Sequence, residues 1–349
     1  MTGPMAIEEF VGDASSLRVA EIVARDRPLV MRGLVADWPL VRKAHESDTA
    51  FAKYLANHDS GAPVDVLLLP SEADGVVGYN ADMSGFNYEH HRVSVTMGLS
   101  RLARYSHEQT GTGLAIQSAL VAQCLPGLLA DHALPLLDAS VAPRIWIGNK
   151  VTTPAHFDAM YNIACVVCGA RRFTLFPPEQ VANLYIGPPD YAPTGSAISV
   201  ARVDRPDDPR FPRLREALDA ARVAELQPGD AIYIPPLWWH NVDSLRQLNA
   251  LVNYWWKPSR KDGYISGHEL AAFYHCILAF RALPSAQRKG WSKLLDYYVF
   301  DDSEALHRMP AEHQGILRRP PDPSLVKQLC QQIRDTLDHA DGAHASKGA

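Results

Sequence analysis

The sequence predicts a mainly β protein, in which an antiparallel barrel or double sheet is flanked by helices. Short aromatic and β-branched runs recur between about 113 and 258, bounded by Pro, Gly and Asn, among them "RIWIGN", "RRFTLFPP" and "LVNYWW". Mixed helical and strand patterns precede these runs, and segments with apolar residues at intervals of three and four follow them. We therefore expect an N-terminal α/β region over 1–112, a β core over 113–258 and a helical region over 259–349.

Length, charge and composition exclude several classes of protein. A chain of 349 residues can bury a large core, and a net charge of -5 gives no footprint for nucleic acid. The N-terminus, "MTGPMAIEEFVGDASS", lacks the pattern of a signal peptide, and no apolar run is long enough to span a membrane. The five cysteines are an odd number spread along the chain, which is typical of reduced thiols. These features predict a cytoplasmic protein.

The N-terminal region and the core contain recognisable elements. "SSLRVAEIVARDRP" has helical spacing after a serine start, and "PLVMRGLV" is a short apolar strand. In the core, Cys165 and Cys168 have CxxC spacing but lie in "NIACVVC", which is typical of a buried strand, so packing is favoured over zinc or redox chemistry.

A long connection and a helical tail complete the pattern. Six prolines lie between "NLYIG" and "VAELQPGD", in a connection that is either functional or a solvated surface loop. The tail contains "GHELAAFYHCILAFRAL", "PSAQRKGWSKLLDYYVF" and "PSLVKQLCQQIRDTLDHA", each with an apolar stripe. These stripes must be buried on the core or on a second copy of the chain, so a homodimer through the C-terminal helices is one expectation.

Three residues could hold a metal. On a strand, residues two apart point to the same face, so His156 and Asp158 would present an imidazole and a carboxylate side by side. His240 follows a predicted turn and strand in "LQPGDAIYIPPLWWHNV". Two histidines and one carboxylate form the triad that holds non-haem Fe(II) and leaves positions open for a co-substrate and dioxygen. The alternative is that His240 packs beside Trp238 and Trp239.

Two adjacent arginines bear on the hypothesis of a metal site with a co-substrate. In "RRFTLFPP", a strand would point Arg171 inward with Phe173 and Leu175 and would point Arg172 outward. A buried guanidinium needs an anion, and a dicarboxylate that chelates iron at its other end would supply one. A protein carboxylate, or the opposite register of the strand, would explain Arg171 equally.

Four motifs of the predicted core together resemble those of a known family. "TPAHFD", "NIACVVCGARRFTLFPP", "PGDAIYIPPLWWHNV" and "VNYWW" resemble the cupin-like JmjC group of Fe(II)/2-oxoglutarate oxygenases, especially the branch of the asparaginyl hydroxylase called factor inhibiting HIF. The resemblance covers about 150–258 in motif order, with a weaker match in "RPLVMRGLVADWP". It implies a double-stranded β-helix, a jelly roll, that holds Fe(II) through His156, Asp158 and His240.

The resemblance also implies roles around the iron. Thr153 and Arg171 match positions that bind the distal carboxylate of 2-oxoglutarate, although the hydroxylase branch has lysine at the position of Arg171. Asn162 and Asn253 match positions that line the co-substrate pocket. Trp255 matches an aromatic near the substrate. Apart from the resemblance, the residues around Gln117 are also expected to face the substrate. Ala115 stands where the family often carries a tyrosine that holds 2-oxoglutarate.

These observations predict an Fe(II)- and 2-oxoglutarate-dependent oxygenase that uses dioxygen to hydroxylate a protein side chain or a small molecule. A JmjC-type demethylase is one alternative, because the iron ligands do not separate the two activities. A metal-binding module without catalysis, in which Ala115 marks a rebuilt pocket, is another. The substrate is not specified by the sequence.

Overall fold

In the computed structural model, residues 3–11, 16–108, 110–257, 269–301, 309–318 and 320–345 are described. The chain divides into two compact units, Met1–Trp256 and Lys257–Ala349. The predicted junction between the β core and the helical region falls at 258–259, which lies outside the described residues.

The first unit begins with short strands and helices. A serine side chain caps one of the helices: the Oγ of Ser47 accepts a hydrogen bond from the Ala50 N–H at 3.0 Å. The predicted helix near residue 20 is shorter than its pattern, because it begins at Val19 without a side-chain cap. The elements are β1 (Met5–Ala6), β2 (Glu8–Glu9), α1 (Val19–Ala24), β3 (Leu29–Met31), α2 (Pro39–Glu46), α3 (Asp48–His58), β4 (Val64–Leu69), β5 (Glu89–Val93) and α4 (Val95–Glu108).

The β core follows. Its elements are β6 (Gly113–Leu120), α5 (Val121–Cys124), β7 (Pro143–Gly148), β8 (Thr152–His156), β9 (Tyr161–Cys168), β10 (Arg171–Phe176), α6 (Leu214–Asp219), β11 (Arg222–Leu226), β12 (Ala231–Ile234), β13 (Trp239–Ser244) and β14 (Asn249–Trp256). They form a five-stranded sheet, β1-β11-β10-β13-β8, and a nine-stranded sheet, β2-β3-β12-β9-β14-β7-β6-β4-β5. Only the pairs β1–β11 and β2–β3 are parallel among the described strands.

The path of the chain makes this core a jelly roll. Strands β7 and β8 lie in different sheets, as do β9 and β10, β11 and β12, and β13 and β14. Each crossing turns apolar residues from both sheets toward one interior. The mainly β class with flanking helices, predicted from sequence, is confirmed. The interior between the sheets contains Ala164, Val166, Phe173, Leu175, Ile232, Ile234, Val242 and Leu251.

The cysteine pair belongs to this packing. Cys165 and Cys168 are buried in β9, and burial raises the pKa of the Cys165 thiol and raises the pKa of Cys168 to about 12. Neither thiol belongs to the group of potential metal ligands found among the described residues. The packing interpretation of the CxxC spacing is therefore supported.

The proline-rich connection is the β10–β11 insert, residues 177–221. It contains a 3₁₀ turn at Pro178–Ala182 and helix α6. Its apolar side chains are buried rather than solvated, and they pack against Phe176 and Trp239. The insert therefore adds a small core on the side of β8 and β13, formed by Leu184, Ala201, Leu214, Ala217 and Ala221.

The second unit is helical. It contains α7 (Glu269–Phe280), α8 (Ser285–Leu295) with a π-helical turn (Asp296–Phe300), 3₁₀ turns (Ala311–His313 and Gly315–Leu317) and α9 (Pro323–Ala345). Phe280 stacks on Trp291, with ring centroids 5.0 Å apart. Within the described parts of the chain, no helix is both long enough and apolar enough to cross a bilayer.

Candidate metal centre

Three potential metal ligands converge on two neighbouring strands. His156 ends β8, Asp158 follows two residues later, and His240 lies on β13 directly opposite His156. The imidazole centroids are 4.1 Å apart, and Nε2 of His240 is 3.6 Å from Oδ2 of Asp158. One ligand atom from each of the three residues lies within 4.8 Å of the others. The structure thus brings together the three residues that the sequence singled out.

Hydrogen bonds to the backbone orient both imidazoles. Nδ1 of His156 lies 2.8 Å from the carbonyl of Pro154, and Nδ1 of His240 lies 3.0 Å from the carbonyl of Trp238. Because a carbonyl only accepts, Nδ1 of each ring carries a hydrogen, and Nε2 is the nitrogen left to bind a metal. Burial, together with the neighbouring His156, lowers the pKa of His240 to about 4. A neutral imidazole with a free Nε2 is suited to bind a divalent metal.

The Asp158 carboxylate is held by an indole and an amide. Its Oδ2 accepts hydrogen bonds from Nε1 of Trp255 at 2.9 Å and from Nδ2 of Asn162 at 3.2 Å. Asn253 in turn donates from Nδ2 to Oδ1 of Asn162 at 2.8 Å. The carboxylate is thus held directly by Trp255 and by Asn162, and Asn162 is itself held by Asn253. Sequence reasoning missed this contact, although the spacing of Asn253 and Trp255 places both on one face of β14.

The backbone of Asp158 is fixed as well. Its carbonyl accepts a hydrogen bond from the N–H of Leu237 at 2.8 Å. Leu237 adopts φ of 66° and is 51% exposed, so a branched side chain occupies the left-handed region where glycine is favoured. Strained conformations of this kind persist where the surrounding structure fixes them, and here two prolines and two tryptophans flank the turn.

Arg171 is buried beside the triad without a partner. It is 7% exposed, and among the described residues no acceptor bonds its guanidinium, whose Nε is completely enclosed. Burial lowers the pKa of Arg171 to about 10. Neighbouring Arg172 points outward, where its Nη2 pairs with Oε1 of Glu225 at 2.6 Å. The inward register predicted for Arg171 is therefore the one observed, and no carboxylate of the described residues pairs with its guanidinium.

These side chains surround a cavity, here called the inner cavity, of about 40 Å³. This volume accommodates an ion and a water molecule, whereas a dicarboxylate requires lining side chains to move when it binds. Two buried polar atoms besides Nε of Arg171 have no partner here, Nε1 of Trp146 and Oδ1 of Asn253. The cavity is lined by Trp146, Thr153, His156, Asp158, Asn162, Arg171, Phe173, Ile234, His240, Val242, Leu251, Asn253 and Trp255.

Two predicted positions do not reach this cavity. Ala115 packs in a separate apolar cluster with Leu67, Leu69 and Val77, and it does not line the inner cavity. Gln117 is half-buried on β6, within an irregularity of the β6–β7 pairing between Ile116 and Ala119, and it does not line the cavity either. Its expected role toward substrate stays a prediction.

Comparison with known proteins agrees with the geometry. A family model described as a cupin-like domain matches residues 14–262. The lysine-specific demethylase JMJ31 of Arabidopsis thaliana is 32% identical over 228 residues, which are 61% of this chain and 41% of the relative. The Jumonji C domain-containing protein 5 of Drosophila melanogaster is 30% identical over 152 residues, 40% of this chain and 36% of the relative.

A third relative matches a shorter stretch. The human HSPB1-associated protein 1 is 36% identical over 113 residues, which are 32% of this chain and 22% of the relative. The chain spans less than half of the length of each of these three relatives.

Proposed function

The chain belongs to the cupin-like domain family, and from this premise we propose that it is an Fe(II)- and 2-oxoglutarate-dependent oxygenase. The observation that carries the proposal is the buried, unpartnered guanidinium of Arg171 in the same small cavity as His156, Asp158 and His240. A buried cation without a counter-ion is costly, and an anionic ligand removes that cost. The triad alone would suit several divalent metals, whereas the triad with Arg171 suits a metal together with a carboxylate.

The donor set fits the chemistry of both groups, with the lining side chains moving to admit the dicarboxylate. His156 and His240 would ligate Fe(II) through Nε2 and Asp158 through its carboxylate, leaving the coordination positions that a facial triad leaves open. Arg171 would bind the distal carboxylate of 2-oxoglutarate with two parallel hydrogen bonds, and the hydroxyl of Thr153 faces the same cavity. When bound, Fe(II) and 2-oxoglutarate supply the reduction of dioxygen that inserts an oxygen atom into a C–H bond, with release of succinate and carbon dioxide.

The protein's own contribution is orientation and shielding. Trp255 and Asn162 hold the Asp158 carboxylate, so the ligand is fixed before the metal binds. The free indole N–H of Trp146 is a further donor that an oxygen of the co-substrate would satisfy. Apolar Phe173, Ile234, Val242 and Leu251 exclude bulk water from the cavity.

We favour hydroxylation of a protein side chain or a small molecule as the reaction. The motifs around the triad resemble the asparaginyl hydroxylase branch. A lysine-specific demethylase among the relatives favours N-demethylation as a second candidate. The two differ in their products, because a hydroxylated N-methyl group leaves as formaldehyde whereas other hydroxylated carbons keep their oxygen. Formaldehyde assays with methylated peptides, set beside mass spectrometry for a gain of one oxygen atom, therefore separate them.

The first experiment is an anaerobic titration of the Fe(II)-loaded protein with 2-oxoglutarate. Chelation of iron by the keto acid is expected to give a visible metal-to-ligand charge-transfer band. The band should need a higher 2-oxoglutarate concentration in Arg171→Ala. Arg172→Ala is the matched control, because Arg172 is adjacent in sequence and points away from the cavity.

The outcome separates catalysis from binding. Consumption of 2-oxoglutarate under air, even without substrate, would support an oxygenase. Iron binding without the band and without consumption would contradict the proposal and would leave a metal-binding module.

We also propose that the protein is cytoplasmic and forms a homodimer through its C-terminal helices. All five cysteines are unpaired, as in a reducing compartment. No side chain of α7 is buried, and Leu270, Phe273 and Leu278 are exposed. A mass that stays monomeric at every concentration in light scattering would contradict the dimer.

A further inference from the structure

A second and much larger cavity lies on the opposite face of β8 and β13. It has a volume of about 900 Å³, within the range of small-molecule sites in proteins. Its floor includes Thr152 and Pro154 of β8 and Asn241 and Asp243 of β13. The alternating residues Thr153, His240 and Val242 face the inner cavity instead. The two cavities share no lining residue, and we call the larger one the outer cavity.

The walls of the outer cavity are fastened to each other. They are the β4–β5 loop, residues 70–88, and the β10–β11 insert. The hydroxyl of Tyr79 donates to the carbonyl of Tyr191 at 2.5 Å, and the hydroxyl of Tyr191 donates to the carbonyl of Ser84 at 2.8 Å. Tyr88 bonds the carbonyl of Pro193 in the same way, and Phe86 stacks on Tyr191 with centroids 5.1 Å apart. Hydrogen bonds and ring contacts therefore hold the two walls together, and aromatic side chains line the cavity.

The cations that line this cavity are already neutralised. Arg202 pairs with Asp204 at 2.6 Å and with Asp74 at 3.0 Å. Arg205 shares Asp74 at 3.1 Å, and Arg210 pairs with Asp208 at 2.6 Å. An anionic ligand would have to displace one of these carboxylates, so the three arginines do not make an anion site.

One carboxylate on the floor is not neutralised. Oδ1 of Asp243 accepts hydrogen bonds from Oγ1 of Thr152 at 2.9 Å and from Nδ2 of Asn241 at 3.1 Å. Among the described residues, no cationic group lies within ion-pair distance of Asp243, and the same is true of Glu72 on the rim. Neutral donors fix the Asp243 carboxylate in place while leaving its charge uncompensated.

From these features we infer that the outer cavity binds an organic cation, a guanidinium or ammonium group on an apolar stem. The cationic head would pair with the Asp243 carboxylate, whose Oδ2 accepts no hydrogen bond from the described residues. The stem would lie against Phe86, Tyr79 and Tyr88, whose ring faces also attract a cation. Such a group is available from a Lys or Arg side chain of a polypeptide or from a free polyamine. This site does not rest on the oxygenase proposal.

The test is a calorimetric titration of the full-length chain with four probes. The peptides Ala-Arg-Ala and Ala-Lys-Ala, with blocked termini, represent polypeptide side chains. Spermidine represents free polyamines, and blocked Ala-Gln-Ala is the uncharged control. We expect the three cations to bind and Ala-Gln-Ala not to bind. The ratio of peptide to spermidine affinity then identifies the source of the cation.

Two variants locate the binding. Asp243→Asn keeps the size and the Oδ1 acceptor, and it should weaken cation binding by at least about tenfold. Asp65→Asn removes one carboxylate on β4 outside the cavity and should leave cation binding unchanged. Phe86→Leu removes an aromatic face but not the charge, and it should weaken binding as a second, independent variant.

Specific outcomes would overturn the inference. These are the absence of cation binding, equal affinity in the wild type and Asp243→Asn, or binding of the uncharged Ala-Gln-Ala as tight as that of the two cationic peptides. Repeating the titration with His240→Ala separates the two proposals, because loss of the metal centre should leave the outer cavity intact. An oxygenase without cation binding contradicts only the inference drawn here, and cation binding without 2-oxoglutarate turnover contradicts only the proposed function.

Discussion

The two faces of the β8–β13 ladder line cavities whose charged groups differ. The inner cavity contains Arg171 of β10, a buried cation to which no acceptor among the described residues bonds, together with His156, Asp158 and His240. The outer cavity contains Asp243, a carboxylate that pairs with no cationic group of the described residues. Consecutive residues of one strand, Val242 and Asp243, thus belong to different sites. A pair of strands can serve two binding sites with different charge requirements because its side chains alternate.

Register is what keeps the two sites apart. His240 pairs with His156, but Val242 pairs with Thr153, so the ladder contains an irregularity between these pairs. This extra residue on β8 lets both Thr153 and His156 face the inner cavity, although they are three apart. A regular strand would send one of them to the outer face, and the metal ligand and the candidate co-substrate ligand would be separated.

The largest expected effect is the loss of metal binding and turnover in the inner cavity, with no change in the outer cavity. Asp158→Ala removes the only carboxylate of the candidate triad, so 2-oxoglutarate turnover should fall by about 10³-fold or more, and Fe(II) affinity should fall with it. Oxygen consumption and equilibrium metal titration measure the two quantities. Binding of Ala-Arg-Ala to the outer cavity should not change. A variant that retains full turnover would refute the assignment of Asp158.

The next variant is expected to raise the stability of the protein and to lower its affinity for 2-oxoglutarate. Arg171→Met removes a buried charge without a partner, so the metal-free protein should gain about 1–3 kcal/mol in free energy of unfolding. The same change should weaken 2-oxoglutarate binding by about 100-fold, because a charge-assisted pair is lost. Urea unfolding and the anaerobic titration measure the two effects. Arg171→Lys should restore part of the binding, since the asparaginyl hydroxylase branch carries lysine there.

The opposite outcome is informative as well. A less stable Arg171→Met protein would mean that the guanidinium already has a counter-ion in solution. In that case Arg171 would not be an unpaired cation, and the contrast with the unpaired Asp243 of the outer cavity would not hold.

Much of the inner face could be predicted from the sequence. The alternation that buries Arg171 and the position of His240 after a turn and strand follow from strand patterns. The same reasoning predicts that His156 and Asp158 lie side by side, which the structure shows, although Asp158 follows the end of β8 and is not placed by the strand period. The burial of Cys165 and Cys168 follows from the continuous apolar run of β9, not from alternation. These features depend on local sequence, which a strand pattern reports directly.

The supporting contacts could not be predicted in this way. Trp255 reaches Asp158 because β14 pairs with β9 in a register that sets Trp255 opposite Asn162, and that register is a property of two distant segments. The outer cavity depends on where the β4–β5 loop meets the β10–β11 insert, more than 100 residues later in the chain. Turn patterns in the sequence mark both segments as loops but do not say that they touch.

The third effect is a dependence of stability on pH. Burial lowers the pKa of His240 to about 4 and also lowers the pKa of His132, whose Nε2 accepts the Leu40 N–H. The unfolded chain then binds protons below about pH 6.5 that the folded chain does not bind. Stability of the metal-free protein should therefore fall as the pH drops from about 6.5 toward 4, by at most about 1.4 kcal/mol per pH unit for each histidine.

Urea unfolding at several pH values measures this slope. His132→Gln should reduce the slope without touching the inner cavity, because His132 packs against Trp38 and does not line that cavity. A stability that is constant or rises between pH 6.5 and 5 would contradict the neutral state of both histidines.

The smallest expected effect belongs to the arginine next to Arg171. Arg172 donates from Nε and Nη2 to Oε1 of Glu225, but both side chains are about half exposed, 47% and 49%. Water screens such a pair, so Arg172→Met should change the free energy of unfolding by about 0.5 kcal/mol or less. It should leave 2-oxoglutarate binding unchanged. The two adjacent substitutions differ only in the face of β10, so equal effects from both would mean that burial of Arg171 does not create the demand for an anion.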